Sequence, residues 1–175
     1  MDATSDPAFL EFVRSRSAAL LRSAYLLTGD RYLAEDLVQT ALAKTALRWQ
    51  RIDQRNAEAY TRRVLYHEQV DGWRRKRVAE AFPGELPDRA SHRSESEHSD
   101  LKLAVQQALS RLGPRQRAVV VLRFFEDRTE RETAEILGCS IGTVKSQAHR
   151  ALATLRSAAP DLLDVSLDDK GVPAR

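Results

Sequence analysis

The sequence predicts an all-α protein of two small helical domains joined by a flexible linker, and three observations carry that prediction. Apolar residues recur at spacings of three and four through both ends of the chain, which places them on one side of a helix. Neither end shows alternating β-branched runs bounded by hairpin turns, and no internal repeat is evident. Between Ala81 and Ser99, two prolines, a glycine and four serines displace the apolar periodicity. At 175 residues the chain has room for two small domains: residues 6–80, then a linker over 81–99, then residues 100–157, with a tail over 158–175.

Four helices are expected in the first part, of which three can be placed. One runs from Pro7 to about Leu27, with Phe9, Phe12, Val13, Leu20, Leu21, Ala24 and Leu27 inward, and Thr28-Gly29-Asp30 ends it and caps the next. The next turns Leu33, Ala34, Leu37, Val38, Ala41 and Leu42 toward the core and leaves Glu35, Asp36, Gln39 and Lys44 outward. A loop follows over Arg51 to Asn56, then a helix from Ala57 to about Arg77, with a break or bend expected near Gly72. In the second part Asp100 caps a helix through Leu112, and Gly113-Pro114 stops it and starts another, since proline fits the first turn of a helix. Val119 to Phe125 is dense in apolar residues and should form the centre of this unit.

The last two helices carry the clearest functional signal. Thr129 and Glu132 have the spacing of a capping box, and Ala134, Ile136 and Leu137 supply apolar contacts. Gly138 then offers a residue that enters the left-handed region without steric cost. Ser140 caps a second helix, whose Ile141, Val144, Ala148, Ala151, Leu152 and Leu155 fall on one side. The opposite side holds Gly142, Thr143, Ser146, His149 and Arg150, flanked by Lys145 and Gln147, with no acid among them. Two short helices joined by a glycine turn, the second with such a face, form a helix-turn-helix that fits the major groove of DNA.

Bulk charge is not the signature: 28 Lys and Arg against 25 Asp and Glu leave only +3. Its position matters more, for Arg74-Arg75-Lys76-Arg77 is a basic run, whereas the tail concentrates Asp161, Asp164, Asp168 and Asp169. The single cysteine, Cys139, excludes an intrachain disulfide and fits a reducing cytoplasm. No run approaches the ~20 apolar residues that span a bilayer, so no membrane insertion is expected. His67, His92, His98 and His149 are scattered, so neither metal nor cofactor is expected. No nucleophile motif or phosphate-cradling glycine loop suggests an enzyme, and no catalytic residue is assigned.

With both halves placed, the chain resembles the extracytoplasmic-function (ECF) class of the sigma-70 family of transcription initiation factors, and within it the actinobacterial SigE-like group. Ala34-Glu-Asp-Leu-Val-Gln-Thr-Ala-Leu42 is similar to the helix that docks on the β′ clamp helices of core RNA polymerase, which assigns Glu35, Asp36 and Gln39 to that contact. Tyr60-Thr-Arg-Arg63 and Asp71-Gly-Trp-Arg-Arg-Lys-Arg77 are similar to the segment that opens and reads the −10 promoter element, which assigns Arg62, Arg63, Trp73, Arg74, Arg75 and Arg77 to DNA there. Gly142-Thr-Val-Lys-Ser146 and His149-Arg-Ala151 are similar to the helix that reads the −35 element, with Thr143, Lys145, Ser146, His149 and Arg150 as contacts. The class pattern departs here at Glu130, Thr133 and Gln147. The resemblance implies promoter DNA and core polymerase as partners, the latter through the β′ clamp helices and the β flap. An anti-sigma factor is a common further partner in the class, and the tail after Ala158 is an alternative regulator in cis. The competing reading of the motif is a stand-alone helix-turn-helix regulator.

Overall fold

The computed structural model describes residues 6–81 and 100–158. The expected linker and tail therefore lie outside the described residues, except for Ala81 and Ala158, which end helices. Among the described residues there are seven α-helices and no strand: α1 (Pro7–Thr28), α2 (Arg31–Arg48), α3 (Ala57–Ala81), α4 (Asp100–Ser110), α5 (Pro114–Val120), α6 (Glu130–Leu137) and α7 (Ile141–Ala158).

Local chemistry sets most of these ends. Asp6 Oδ1 accepts from the Ala8 amide at 2.9 Å ahead of Pro7, and Asp30 Oδ1 accepts from Leu33 at 2.9 Å. Gly29 ends α1 at φ +71°, and its N–H donates to the Tyr25 carbonyl. Two 3-10 turns, Trp49–Arg51 and Gln54–Asn56, replace the expected loop between α2 and α3. The break expected near Gly72 does not occur. α3 continues through it, because one glycine costs a helix only ~1 kcal/mol and the neighbouring turns outweigh that.

α1, α2 and α3 bury Leu20, Ala24, Leu27, Ala34, Leu37, Val38, Ala41, Leu65 and Tyr66 together. Phe9, Trp49 and Ala57 form a smaller cluster at one end, with the Phe9 and Trp49 rings edge to face at 5.1 Å. Thr45 and Thr61, both fully buried, share a 3.0 Å hydroxyl contact between α2 and α3, and each also donates to the carbonyl four residues back. Leu33, expected inward, is 45% exposed: it lies at the edge of the stripe that Ala34, Leu37 and Ala41 already fill.

In the second half, Val119, Ala134 and Val144 tie α5 to the helix pair α6–α7, while Leu109, Leu112, Val120, Ala151 and Leu155 pack α4, α5 and α7. α5 widens after Val120 into a π-helical turn over Val121–Phe125, closed by a 3.0 Å bond from the Glu126 N–H to the Val121 carbonyl.

The two halves share one core, a feature the periodicity did not reveal. Ala118, Val121, Leu122 and Ile136 from the second half join Leu20, Ala24, Leu27, Leu65 and Tyr66 from the first. Each large aliphatic side chain buried there stabilises the union by roughly 1.5–3 kcal/mol. The carbonyls at the end of α1 are satisfied across the join as well: Gln106 Nε2 donates to Tyr25 O at 3.1 Å and Arg117 Nη1 to Leu27 O at 2.7 Å.

Candidate nucleic-acid interface

The helix pair α6–α7 is built by the signals its sequence carries. Thr129 Oγ1 accepts from the Glu132 amide at 3.2 Å, while Glu132 Oε2 accepts from the Thr129 amide at 2.8 Å. Those bonds, with the Thr129 backbone N–H foremost, hold the Glu132 carboxyl below its ordinary range. Gly138 turns the chain at φ +64°, and Ser140 Oγ accepts from the Thr143 amide at 3.1 Å to start α7.

Val144, Ala151 and Leu155 of α7 are buried, and the opposite face is open. Lys145, Ser146, His149 and Arg150 are exposed and Thr143 is half-buried, so all five residues expected to meet the −35 element lie on one accessible surface. A second-half acid modifies that surface in a way the α7 sequence alone does not show: Glu130 of α6 reaches Lys145 at 3.6 Å. The Thr143 hydroxyl is engaged with Ser140 at 2.9 Å, and Ser146 donates to the Thr143 carbonyl at 3.0 Å.

The α3 residues expected at the −10 element are divided. Trp73 is 40% exposed and Arg63 is exposed beside a cleft of about 570 Å3 between α3 and α6. Arg74, Arg75 and Arg77 continue along α3, and their side chains lie outside the described residues. Arg62 is only 7% exposed. Its guanidinium bonds Glu58 at 3.0 Å and Glu126 of the second half at 2.6 Å. The turn of the helix pair also rests on α3, for a Cβ added at Gly138 would meet His67 at 3.7 Å and Arg63 at 4.0 Å. Of the other aromatic side chains that could stack on a base, Trp49 and Tyr66 are buried in the cores and Tyr60 is half-buried.

On α2, Asp36 and Gln39 are exposed, while Glu35 is half-buried and pairs with Arg31 at 2.9 Å, a bond that raises the Arg31 pKa. Tyr32 and Leu33 stand exposed beside them, as does Leu47 further along, at 85%. Tyr32 and Leu47 were not singled out in the sequence and Leu33 was expected inward; their exposure is the signal.

Sequence reasoning also missed Glu126, which follows the apolar run Val119 to Phe125 and was not singled out. It accepts from Tyr66 Oη at 2.9 Å and from Ser23 Oγ, in addition to its pair with Arg62, and its side chain is 9% exposed. Burial, with the Glu126 charge second, pushes the Tyr66 phenol well above its ordinary pKa.

Among the described residues no cluster of His, Cys, Asp and Glu could hold a metal ion, and no helix is long and apolar enough to cross a membrane. Burial pushes the Cys139 thiol up, away from the reactive thiolate.

Comparison with known proteins accounts for both halves. Sigma-70 region 2 matches residues 12–78 and Sigma-70, region 4 matches residues 102–155. The RNA polymerase sigma-E factor of Streptomyces coelicolor is 47% identical over 149 residues, which cover 85% of this chain and 84% of that protein. The ECF RNA polymerase sigma factor SigE of Mycolicibacterium smegmatis is 33% identical over 165 residues, 89% of this chain and 64% of that one. Among solved structures, the sigma factor RpoE from Bartonella quintana, crystallised in complex with the anti-sigma factor NepR, superposes with a TM-score of 0.69 at 28% identity, covering 91% of this chain and 98% of that chain.

Proposed function

The chain belongs to the sigma-70 family as an ECF sigma factor of the SigE-like group, directing transcription initiation, and from that premise we propose which of its surfaces does which part of the work. The stand-alone regulator reading is not favoured, because it leaves the region 2 half without a role.

α7 reads the −35 element in the major groove. The observation that carries this is its open polar arc, on which Lys145, Ser146, His149 and Arg150 are exposed and the acid Glu130 of α6 stands beside Lys145 alone; Arg150 and His149 are assigned to base edges and Lys145 and Thr143 to phosphates. A bidentate bond from Arg150 to a guanine would contribute roughly 1–3 kcal/mol of discrimination. α3 takes the −10 element through Arg62, Arg63, Trp73 and the basic run Arg74, Arg75 and Arg77. Opening duplex DNA costs a few kcal/mol per extruded base, which an exposed ring such as Trp73 and nearby cations offset. The α2 surface of Glu35, Asp36 and Gln39, widened by Tyr32 and Leu33, docks the β′ clamp helices, and the second half meets the β flap. An anti-sigma factor is the regulator proposed for the chain, supported by the complex in which the Bartonella quintana relative was crystallised. The protein acts in the cytoplasm, beside polymerase and chromosome, as an initiation factor whose polymerisation chemistry belongs to the partner.

Holding two DNA elements from one chain makes the second contact intramolecular and raises its effective concentration. Run-off transcription with core polymerase and a promoter library tests the whole reading. Selective transcripts with the chain and none without it are expected; transcripts no more selective than those of core polymerase alone would overturn it.

A further inference from the structure

Glu126 sits where three donors of the other half converge. Ser23 of α1 and Tyr66 and Arg62 of α3 are 5%, 0% and 7% exposed, so none of them finds its partner in bulk water. The Tyr66 and Ser23 hydroxyls both donate to Glu126 Oε1, the former at 2.9 Å, and the Arg62 guanidinium forms an ion pair with the other carboxylate oxygen at 2.6 Å. A hydroxyl, a phenol and a guanidinium arranged this way form a seat for an oxyanion, and nothing in that donor set favours a carboxylate over a phosphate.

The backbone that delivers Glu126 is irregular on both sides of it. The π-helical turn Val121–Phe125 precedes it, and Asp127, at φ +53°, follows it as the sole non-glycine residue of positive φ among the described residues. The Arg128 N–H donates to the Leu122 carbonyl at 2.9 Å and Arg123 donates to the Arg128 carbonyl, so the segment is held in this shape. Arg128 lies 4.0 Å from Glu126 and 3.9 Å from Glu58. If the second half moved away, Glu126 and Arg128 would leave together. Arg62 and Arg16 would remain on the first half with Glu58, their pairs at 3.0 and 3.2 Å, so the seat would keep the same excess of one positive charge that these five groups have while the halves are joined.

We propose that Ser23, Arg62 and Tyr66 form a phosphate seat for the backbone of single-stranded promoter DNA, and that Glu126 fills it from within the same chain until the two halves part. This rests on the reading that α3 engages the −10 DNA. Glu126 is then an internal competitor of nucleic acid, and the chain alone is the closed, weakly binding form. The −35 surface on α7 stays open throughout, so the competition falls on one DNA element and spares the other.

The test uses the full chain and a fluorescein-labelled single-stranded oligonucleotide of mixed sequence, followed by anisotropy across a salt series. Glu126→Gln removes the charge at nearly constant volume and is expected to tighten binding about tenfold, the scale of one charge-assisted contact. The slope of log affinity against log salt should steepen by ~0.7, one phosphate on a single strand. The double variant Glu126→Gln/Arg62→Ala should lose both gains. Equal affinity for wild type and Glu126→Gln, or a gain that survives Arg62→Ala, would overturn the proposal. Small-angle scattering on the same samples supplies a second readout that does not depend on DNA: a helical Glu126→Gln chain with the radius of gyration of wild type would also overturn it. Run-off transcription separates the two levels of the argument. Selective transcripts without an oligonucleotide gain sink the seat and leave the function; absence of selectivity from wild type and variant alike sinks the function itself.

Discussion

The two surfaces that this chain would offer to DNA, on α7 and on α3, differ in how they are finished. The α7 face is complete within its own helix pair: cap, glycine turn and buried Val144 fix it, and its polar arc meets solvent. The α3 face is not complete by itself. Its Arg62 and Tyr66 are satisfied by Glu126, a residue 60 positions beyond Tyr66 in the chain, and α6 lies across part of it. The difference teaches that two surfaces of one initiation factor need not be available together. One is ready as folded, and the other is conditional on how the halves are placed.

The sharpest way to break that contrast is to damage the shared core. Leu122 is fully buried among residues of both halves, so Leu122→Ala should cost ~2–5 kcal/mol, read by urea denaturation. It should also bring Arg62 and Tyr66 into solvent, which amide and side-chain exchange on α3 would report. A stability loss confined to the second half, with α3 unchanged, would argue that the α3 face is self-sufficient after all.

Arg150→Ala sharpens the other side of the comparison. Because Arg150 is exposed, its removal should shift folding stability by no more than ~0.5 kcal/mol. It should nonetheless weaken discrimination at the chain's own −35 element by roughly 1–3 kcal/mol, measured by competition binding with single-base variants of that element. Loss of fold would show that α7 is less independent than its caps suggest.

The smallest effect concerns acid. The folded chain holds the Glu132 carboxyl below its unfolded value, so the bond to Thr129 contributes stability that is fully present above the ordinary carboxylate pKa of about 4.3. That contribution is lost as pH falls through the depressed folded value. Glu132→Gln should therefore flatten the acid limb of the stability curve between pH 5 and pH 3, as followed by thermal unfolding, without altering the solvent protection of α3. A matching change at α3 would couple two regions that the comparison treats as separate.

Legibility divides along the same line. Features made by residues a few positions apart could be read directly: Asp30 and Ser140 cap where expected, Thr129 and Glu132 form their reciprocal bonds, and Gly29 and Gly138 take left-handed conformations. The face of α7 was legible for the same reason, since a helical repeat is enough to gather Thr143, Ser146, His149 and Arg150. The join between the halves was not. Leu20, Ala24 and Leu27 form an apolar stripe that serves α2 and α3 on one side and Val121 and Leu122 on the other, and periodicity marks the stripe without counting its partners. Ser23 looks like an ordinary helical serine and Glu126 like a loop acid, and only their proximity gives either a role. Arg62 shows the cost of reasoning from residue type alone: an arginine next to Arg63 reads as a phosphate partner, yet here it is buried on two carboxylates. Leu33 misled in the opposite sense, because a regular spacing continues past the last position that the core can accommodate.

The wide turn at Val121–Phe125 holds one residue more per turn than the helix it extends. The surplus residue is absorbed where it stands, so deleting a single codon there would let regular winding resume and leave the caps and the exposed arc of α7 in place. The chain thus tolerates a change of one residue in length just before the carboxylate that reaches Ser23, Arg62 and Tyr66, where the spacing of its halves can be trimmed without touching either helix face.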